Sequence, residues 1–514
     1  MSPAEPIRAG DLSFALDGTD LIDLRWGGLE IASRIQVTVR DPDWGTVPST
    51  LRAAHVEPAG VVLEGRHDPA GFAWRAVIDA DAGGRLTFAL DGVAERDFDL
   101  RRIGVCVLHP WRSYVGARYE AATAGAPRGG TFPLAIAPQA RVGGAYLPMI
   151  EAFDALTVAF PGGQILELRL EGERFELEDQ RNWTDGSFKT YPTPLARSHP
   201  RTMRAGERVR QRATLTIDGP APPPRPDATP TVTVGPATGV TVPPVGMSAT
   251  SAPIDGAAHV RIPLDAADPD PGALARAALP VELALTVDPT APDVAPVLPL
   301  LDVVPLARVI VLRADEETSS PDLVEEVRGR LGARAGSVPF LGGTATHFSE
   351  INRNPPAAGL EGVAFALSPE VHATDERSIR GTLEIQTQVL ARVRELAGAP
   401  AHPSPVTLAT HAGSGFADAW TAGCLATLAN AGAASITIDA SSPAAGAVAR
   451  LRGAALLDVT VSDPTRIAAL ATADGRTLVV NLTAEPVPFT RNGRGERPLE
   501  PYELRSSEAS AASA

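Results

Sequence analysis

Cysteine is scarce. The 514 residues hold two, Cys106 and Cys424, far apart in the chain. That count excludes a disulfide framework and a cysteine-built metal site, and a reducing cytoplasm is the expected compartment. Lysine is scarcer still: Lys189 stands alone against 45 arginines. The bias fits GC-rich codon usage, and it draws attention to the one position that escaped. Long apolar runs are missing, none approaching the ~20 residues of a membrane span. The opening MSPAEPIRAGDLSF has no charged segment leading into an apolar one, so no signal peptide is expected. Positive charge is in deficit, with 46 basic against 61 acidic side chains and a net charge of -15. Without a basic stripe to neutralise phosphates, nucleic acid is not an expected partner, nor is an anionic membrane surface.

Apolar residues at 44% and charged ones at 21% are ordinary for a globular chain, and the length suggests roughly three domains. Residues 1–218 read as an all-β sandwich. Short alternating runs such as LSFALDG, IQVTVRD, RLTFALDG, IGVCVLHP and ILELRLEG recur between Gly, Asp and Pro breaks. Residues 219–241 read as a Pro-rich linker, because proline at that density denies ladder donors. From 242 to 453 the pattern becomes strand–helix alternation, which implies a parallel sheet. The strands are HVRIPLD, VELALTVD, RVIVLRAD, SVPFLGG, GVAFALSP, PVTLATH and ASITID, with VPPVGMS as an eighth at the start. Eight strands close a TIM-like (β/α)8 barrel; seven leave an open sheet. Helices are expected at PGALARAAL, VAPVLPLLDVV, SPDLVEEVRGRLG, DERSIRGTLEIQTQVLARVRELAG and DAWTAGCLATLANAG. Residues 454–505 alternate again and form a small C-terminal β domain, and 506–514 read as a disordered tail. No internal repeat is detected.

In a barrel the chemistry sits at the carboxyl ends of the strands. Two segments there carry acid–base groups. FLGGTATHFSEINRNPP (340–356) offers Glu350 with Asn352 and Arg353, and its two glycines suggest a sharp turn after the strand. ALSPEVHATD (366–375) offers Glu370 and His372, with Asp375 suited to cap the following helix. Asp265 and Asp439 end other strands and suit sugar hydroxyls. The blander reading of all of these is a solvated rim. Metal ligation has little support: there is no HxH, HExxH or cysteine pair, and His347, His372 and His411 would need three strand ends to converge. Gly413-Ser414-Gly415 lacks the spacing of a nucleophile elbow and reads as a loop.

The densest polar string lies in the sandwich. LEDQRNWTDGSFKTYPTPL (177–195) gathers Arg181, Asp185 and Lys189 around Trp183 and Phe188. It reads as a solvated hairpin, a structural ionic network, or a group touching substrate through Lys189 and Arg181.

Several segments together resemble the D-apionate lactonase family: CVLHP (106–110), EDQRNWTDGSFKTY (178–191), GGTATHFSEINRNPP (342–356), LSPEVHATDERSIRGTLEIQ (367–386) and VVNLT (479–483). The resemblance implies a β-sandwich, a TIM barrel and a small C-terminal β domain. It also implies hydrolysis of D-apionolactone to D-apionate, with no cofactor. The chain departs from the pattern at Ala345 (commonly Asp), at Glu370 (commonly Gln) and at Ile438-Asp439-Ala440-Ser441 (commonly a Tyr-Tyr-Glu-Thr-like segment).

The expected function is a sugar-lactone hydrolase. His372 or Glu370 would serve as base and Glu350 as acid. Asn352 and Arg353 would face the oxyanion or hydroxyls, and Asp265, Asp439, Lys189 and Arg181 would bind substrate. The expected partner is a small sugar lactone or related carbohydrate, with no metal and no cofactor. Two further readings are a barrel glycoside hydrolase using paired carboxylates and a degenerate barrel that only binds carbohydrate.

Overall fold

A computed structural model describes residues 6–57, 60–123, 126–197, 199–224, 228–275, 277–439 and 442–507. Ala440, Ser441 and all but the first two residues of the expected tail lie outside that set. The chain divides into two compact units, Met1–Arg181 with Gly186–Asp227, and Asn182–Asp185 with Ala228–Ala514.

The first unit is a sixteen-stranded antiparallel sheet around one apolar core. Period-2 alternation builds it. Along Arg85–Ala94 every second residue is buried, placing Leu86, Phe88 and Leu90 inside. Strands early and late in the order share that core, from Phe14 to Ile78, so the sheet closes over itself as a sandwich. A tie crosses the core: the Gln211 side chain accepts from Val105 N at 2.8 Å. Gly104 makes room for it, since a Cβ there would lie 2.0 Å from Gln211 Oε1.

The second unit contains a closed parallel barrel of eight strands. These are β1 (Val245–Ser248), β2 (Val260–Asp265), β3 (Val281–Val287), β4 (Leu306–Arg313), β5 (Phe340–His347), β6 (Val363–Leu367), β7 (Ala401–Thr407) and β8 (Ile436–Asp439). VPPVGMS thus supplies the eighth strand, and β1 pairs with both β2 and β8. The helices are α1 (Pro271–Ala275), α2 (Pro321–Leu331), α3 (Phe348–Arg353), α4 (Glu376–Ala397), α5 (Gly415–Asn430) and α6 (Pro443–Ala449). Ser320 caps α2 and Pro321 occupies its first turn. Asp375 caps α4, accepting from Ser378 N at 3.0 Å. The α4 helix buries Ile379, Leu383, Leu390 and Val393 at helical spacing, so Leu383→Ala should cost about 2–5 kcal/mol. VAPVLPLLDVV forms no α-helix. It holds a 3-10 turn at Leu298–Val303, since Pro299 denies the ladder a donor.

Two expectations about backbone need correction. Residues 231–241, inside the stretch read as linker, form a strand that pairs with Ala455–Val461. Gly342 and Gly343 lie within β5 rather than in a turn after it. Gly343 has φ +140°, and a Cβ there would come within 1.9 Å of Ala364 O on β6. Glycine is needed for the approach of two strands.

The C-terminal residues form a four-stranded and a three-stranded sheet enclosing Val232, Ile467, Val479, Phe489 and Leu499. This small core leans on α5, which is buried nearly all round. A Cβ on Gly423 would come within 2.9 Å of Leu482 and 3.3 Å of Ala468, and Asn430 Nδ2 donates to Ala469 O at 2.9 Å.

Candidate active site at the barrel rim

The second unit includes four residues from the sandwich stretch of sequence, Asn182–Asp185, and they organise the rim. Asp185 Oδ2 is bonded to His372 Nδ1 on the loop after β6. A carboxylate accepts, so Nδ1 carries the hydrogen and the basic lone pair is on Nε2. Trp183 meets the His372 ring edge-on, with centroids 5.4 Å apart. Thr184 sits at φ +68°, an uncommon conformation for a β-branched residue; its hydroxyl donates to Trp183 O at 2.6 Å and lies 3.4 Å from Ser368 O. Asn182 Oδ1 accepts from Asn352 Nδ2 at 2.9 Å, and Arg392 Nε lies 3.4 Å from Asn352 Oδ1. These four residues therefore bridge the loop after β6 to α3.

Glu350 and Arg353 lie on α3, a short helix that leaves β5 directly. Glu350 Oε1 accepts from Asn354 Nδ2 at 2.5 Å, and Arg353 Nε is 3.5 Å from Oε2. Arg353 Nε also donates to Ser349 O at 3.1 Å. Through Asn352 and Asn182, this helix is tied to the segment that holds His372.

Glu370 has a different surrounding. Its two oxygens accept from Ala409 N at 2.7 Å and Thr410 N at 2.9 Å, and from the Thr410 hydroxyl. It clamps the loop after β7, using both carboxylate oxygens where an amide side chain would offer one. Asp265 is exposed and caps its own turn at Ala267 N, 2.9 Å away. Asp439 accepts from Thr250 and Ser251 hydroxyls, both at 3.3 Å, which holds the loop after β1 against β8. Ser414 is the N-cap of α5 rather than part of a loose loop.

His347, His372 and His411 do not converge. Burial pulls His347 below the usual imidazole range, and His411 Nε2 is bonded to Thr374 O at 2.7 Å. Among the described residues, no three His, Cys, Asp or Glu side chains are grouped to hold a metal ion.

Below the rim, the barrel floor is ionic. Glu282, on β3, is fully buried and accepts from Thr437 of β8 at 2.8 Å and from Ser404 of β7. His259 Nε2 and Arg308 Nη1 stand 3.3 and 3.4 Å from its other oxygen. Burial would raise this carboxyl, but His259, Arg308 and Ser404 hold it at about 2. His402 is pushed down to about 3, by burial first and Arg308 second. The clue in sequence was a glutamate in the apolar run VELALTV.

Lys189 and Arg181 belong to the first unit. Arg181 is wholly buried, its Nε and Nη2 bonded to Asp179 at 2.9 and 2.7 Å. The same guanidinium donates to the carbonyls of Pro133, Leu134 and Ala135 at 2.9–3.3 Å. Lys189 Nζ donates to Gln180 Oε1 at 3.3 Å beside its register partner Glu178. Burial, then the charge of Arg40, lowers Lys189 to about 8. Both side chains brace the sandwich. Asn182 to Asp185, in the middle of that string, are the residues that reach the rim, and spacing alone did not distinguish them from Arg181 and Lys189.

The chain matches known proteins in the same regions. Its residues 1–220 match the family model of the D-apionate lactonase N-terminal domain, and residues 272–413 match that of the D-apionate lactonase TIM barrel domain. A D-apionate lactonase from Brucella anthropi is 28% identical over 443 residues, 76% of this chain and 70% of its own length. Solved structures include a xyloglucanase of glycoside hydrolase family 44 from Paenibacillus polymyxa. It has 9% identity and a TM-score of 0.36, covering 55% of this chain and 98% of its own. A glucosidase from Croceicoccus marinus has 14% identity and a TM-score of 0.34, covering 50% and 78%. Likeness at those scores carries no argument about chemistry.

Proposed function

Because the chain belongs to the D-apionate lactonase family, we propose that it hydrolyses a branched-sugar lactone, D-apionolactone or a close relative, to the free acid. The observation that carries a mechanism is the His372–Asp185 pair at the carboxyl rim. Asp185 fixes the tautomer, so Nε2 of His372 takes a proton from water as the water oxygen bonds to the lactone carbonyl carbon. The tetrahedral oxyanion then collapses. The bond between the acyl carbon and the ring oxygen breaks, and His372 returns its proton to that oxygen. The new carboxylic acid ionises, so each turnover near neutral pH releases one proton.

Glu350 was expected as the acid. Paired with Arg353, its carboxylate is suited to accept hydrogen bonds, and the role that fits is to hold the attacking water or a sugar hydroxyl. Asn352 acts through Asn182 as a positioning residue. Glu370 and Asp439 shape the rim by fixing the loops after β7 and β1. The two cysteines are unpaired and buried, which suits the reducing cytoplasm we propose as its compartment. The test is a pH-stat assay of the purified protein on a panel of sugar lactones, with aryl glycosides as controls. Acid release from lactones alone supports the reading; glycoside cleavage without lactone opening overturns it.

A further inference from the structure

Arg261 is the second residue of β2, and three observations put it inside the barrel. It is in register with Glu282 on β3, and Glu282 with Arg308 on β4. Register partners in a parallel sheet share a face, and Glu282 reaches β7 and β8, which only an inward side chain can do. Along β2, Ile262 and Leu264 are buried while Pro263 and Asp265 are exposed. Residues 261, 263 and 265 thus form the inward face, and solvent reaches down it past Pro263. Above the ionic floor, Ala284, Ile310, Leu312, Leu341 and Ala364 form an apolar cluster on the strands beside it.

Arg261 is unlike the other cations of this floor. Arg308 pairs with Glu282 and Ser435. Arg261 has a buried Nε with no hydrogen-bond partner among the described residues, and Glu282 and Asp439 act on it through their charge. A buried donor left unpaired is costly, and an acceptor supplied from outside the chain would relieve it. Burial weakens its hold on its proton, and the charges of Glu282 and Asp439 offset this only in part; a guanidinium is basic enough to stay cationic all the same. A planar cation with a vacant donor is suited to a carboxylate or a polarised carbonyl.

We propose that Arg261 is the anion anchor of the barrel lumen, binding the carbonyl oxygen of the lactone and, after ring opening, the carboxylate of the sugar acid. This rests on the lactonase reading for its choice of ligand. The consequence is a preference for sugar acids and their lactones over neutral sugars of the same carbon skeleton.

Calorimetric titration of D-apionate, with apiose as the neutral control, tests it on wild type, Arg261→Met and Arg261→Lys. Wild type should bind the acid more tightly than apiose. Arg261→Met should weaken acid binding at least about tenfold and raise the KM for lactone by a similar factor, from loss of a charge-assisted bond. Arg261→Lys, which keeps charge without the fork, should fall between. The unfolding midpoint of Arg261→Met should change little, because no hydrogen bond of the Nε is removed and only the attraction of Glu282 and Asp439 is lost. If that variant does not fold, Pro263→Phe, at an exposed position on the same wall, should block acid binding. Acid binding unchanged in both arginine variants or in Pro263→Phe, or no acid binding by wild type at millimolar concentration, overturns the proposal. Lactone hydrolysis with Arg261-independent binding leaves the lactonase reading standing alone. Arg261-dependent acid binding without hydrolysis of any lactone does the reverse.

Discussion

The two units bury ions on different plans. In the sandwich, Arg181 and Asp179 close on each other, and three carbonyls take further donors of the guanidinium. Arg102 has two nitrogens without hydrogen bonds there, but its guanidinium lies against ring faces, 3.9 Å from the Tyr191 centroid and 4.8 Å from Trp44. In the barrel, one Glu282 oxygen accepts from two strands and the other faces the charges of His259 and Arg308, while Arg261 beside it keeps a buried Nε without a hydrogen bond. The rim adds His372 and Asp185, which are half-buried and so within reach of a ligand. Saturation marks the ions that hold a fold together; vacancy and partial exposure mark those available for chemistry.

That contrast can be tested by substitutions on either side of it. The largest effect belongs to His372→Ala, which should lower lactone turnover by about 10²–10⁴-fold with the unfolding midpoint near wild type. Initial rates by pH-stat beside a thermal melt check both halves. Glu350→Gln should cost about 10–100-fold in turnover, less than the histidine, because the amide still accepts a hydrogen bond. Arg181→Met should do the opposite of His372→Ala. It strands a buried Asp179, so stability should fall by about 3–5 kcal/mol in a urea titration while the folded fraction keeps its kcat.

The smallest effect is a pH dependence in the sandwich. Burial raises Glu176 to about 7 from an ordinary 4.5, against the pull of Leu195 N and Arg102. The folded state then binds more protons than the unfolded one between those values. Its contribution is complete below about 4.5 and is lost as pH rises through 7. Lys189, lowered to about 8, runs the other way, since the unfolded state binds more protons from 8 to 10.5. Stability from this pair should therefore dip between pH 7 and 8. Glu176→Gln should remove the acid-side slope, a change on the order of 1–3 kcal/mol at pH 8 by denaturant titration at several pH values.

The sequence was most informative where periodicity is strict. Alternation in RLTFALDG and the strand–helix sequence from 242 onward correspond to the sandwich and the barrel because one buried face dictates each period. Ser320 and Asp375 were legible as caps because capping is a local bond. What spacing could not show was long-range. Asp185 meets His372 across 187 positions of sequence. Arg261 reads as an ordinary polar residue of an alternating strand until the barrel closes and sets it beside Glu282. Residues 231–241 are obscured by the prolines around and within them; Pro236 falls where the pairing with Ala455–Val461 shifts register, which breaks up a strand bonded on both sides. Glu370 shows the converse: a carboxylate two residues from a histidine suggests a proton-transfer pair, yet it caps amides of the neighbouring loop.

The most direct measurement is proton release from D-apionolactone by the wild-type protein and by Asp185→Asn in the same pH-stat. Wild type should release one proton per lactone opened, and Asp185→Asn should lose most of that rate through the wrong histidine tautomer while melting near wild type. Full activity in the folded Asp185→Asn protein, or no acid from the wild type on any sugar lactone, would contradict the assignment of the rim.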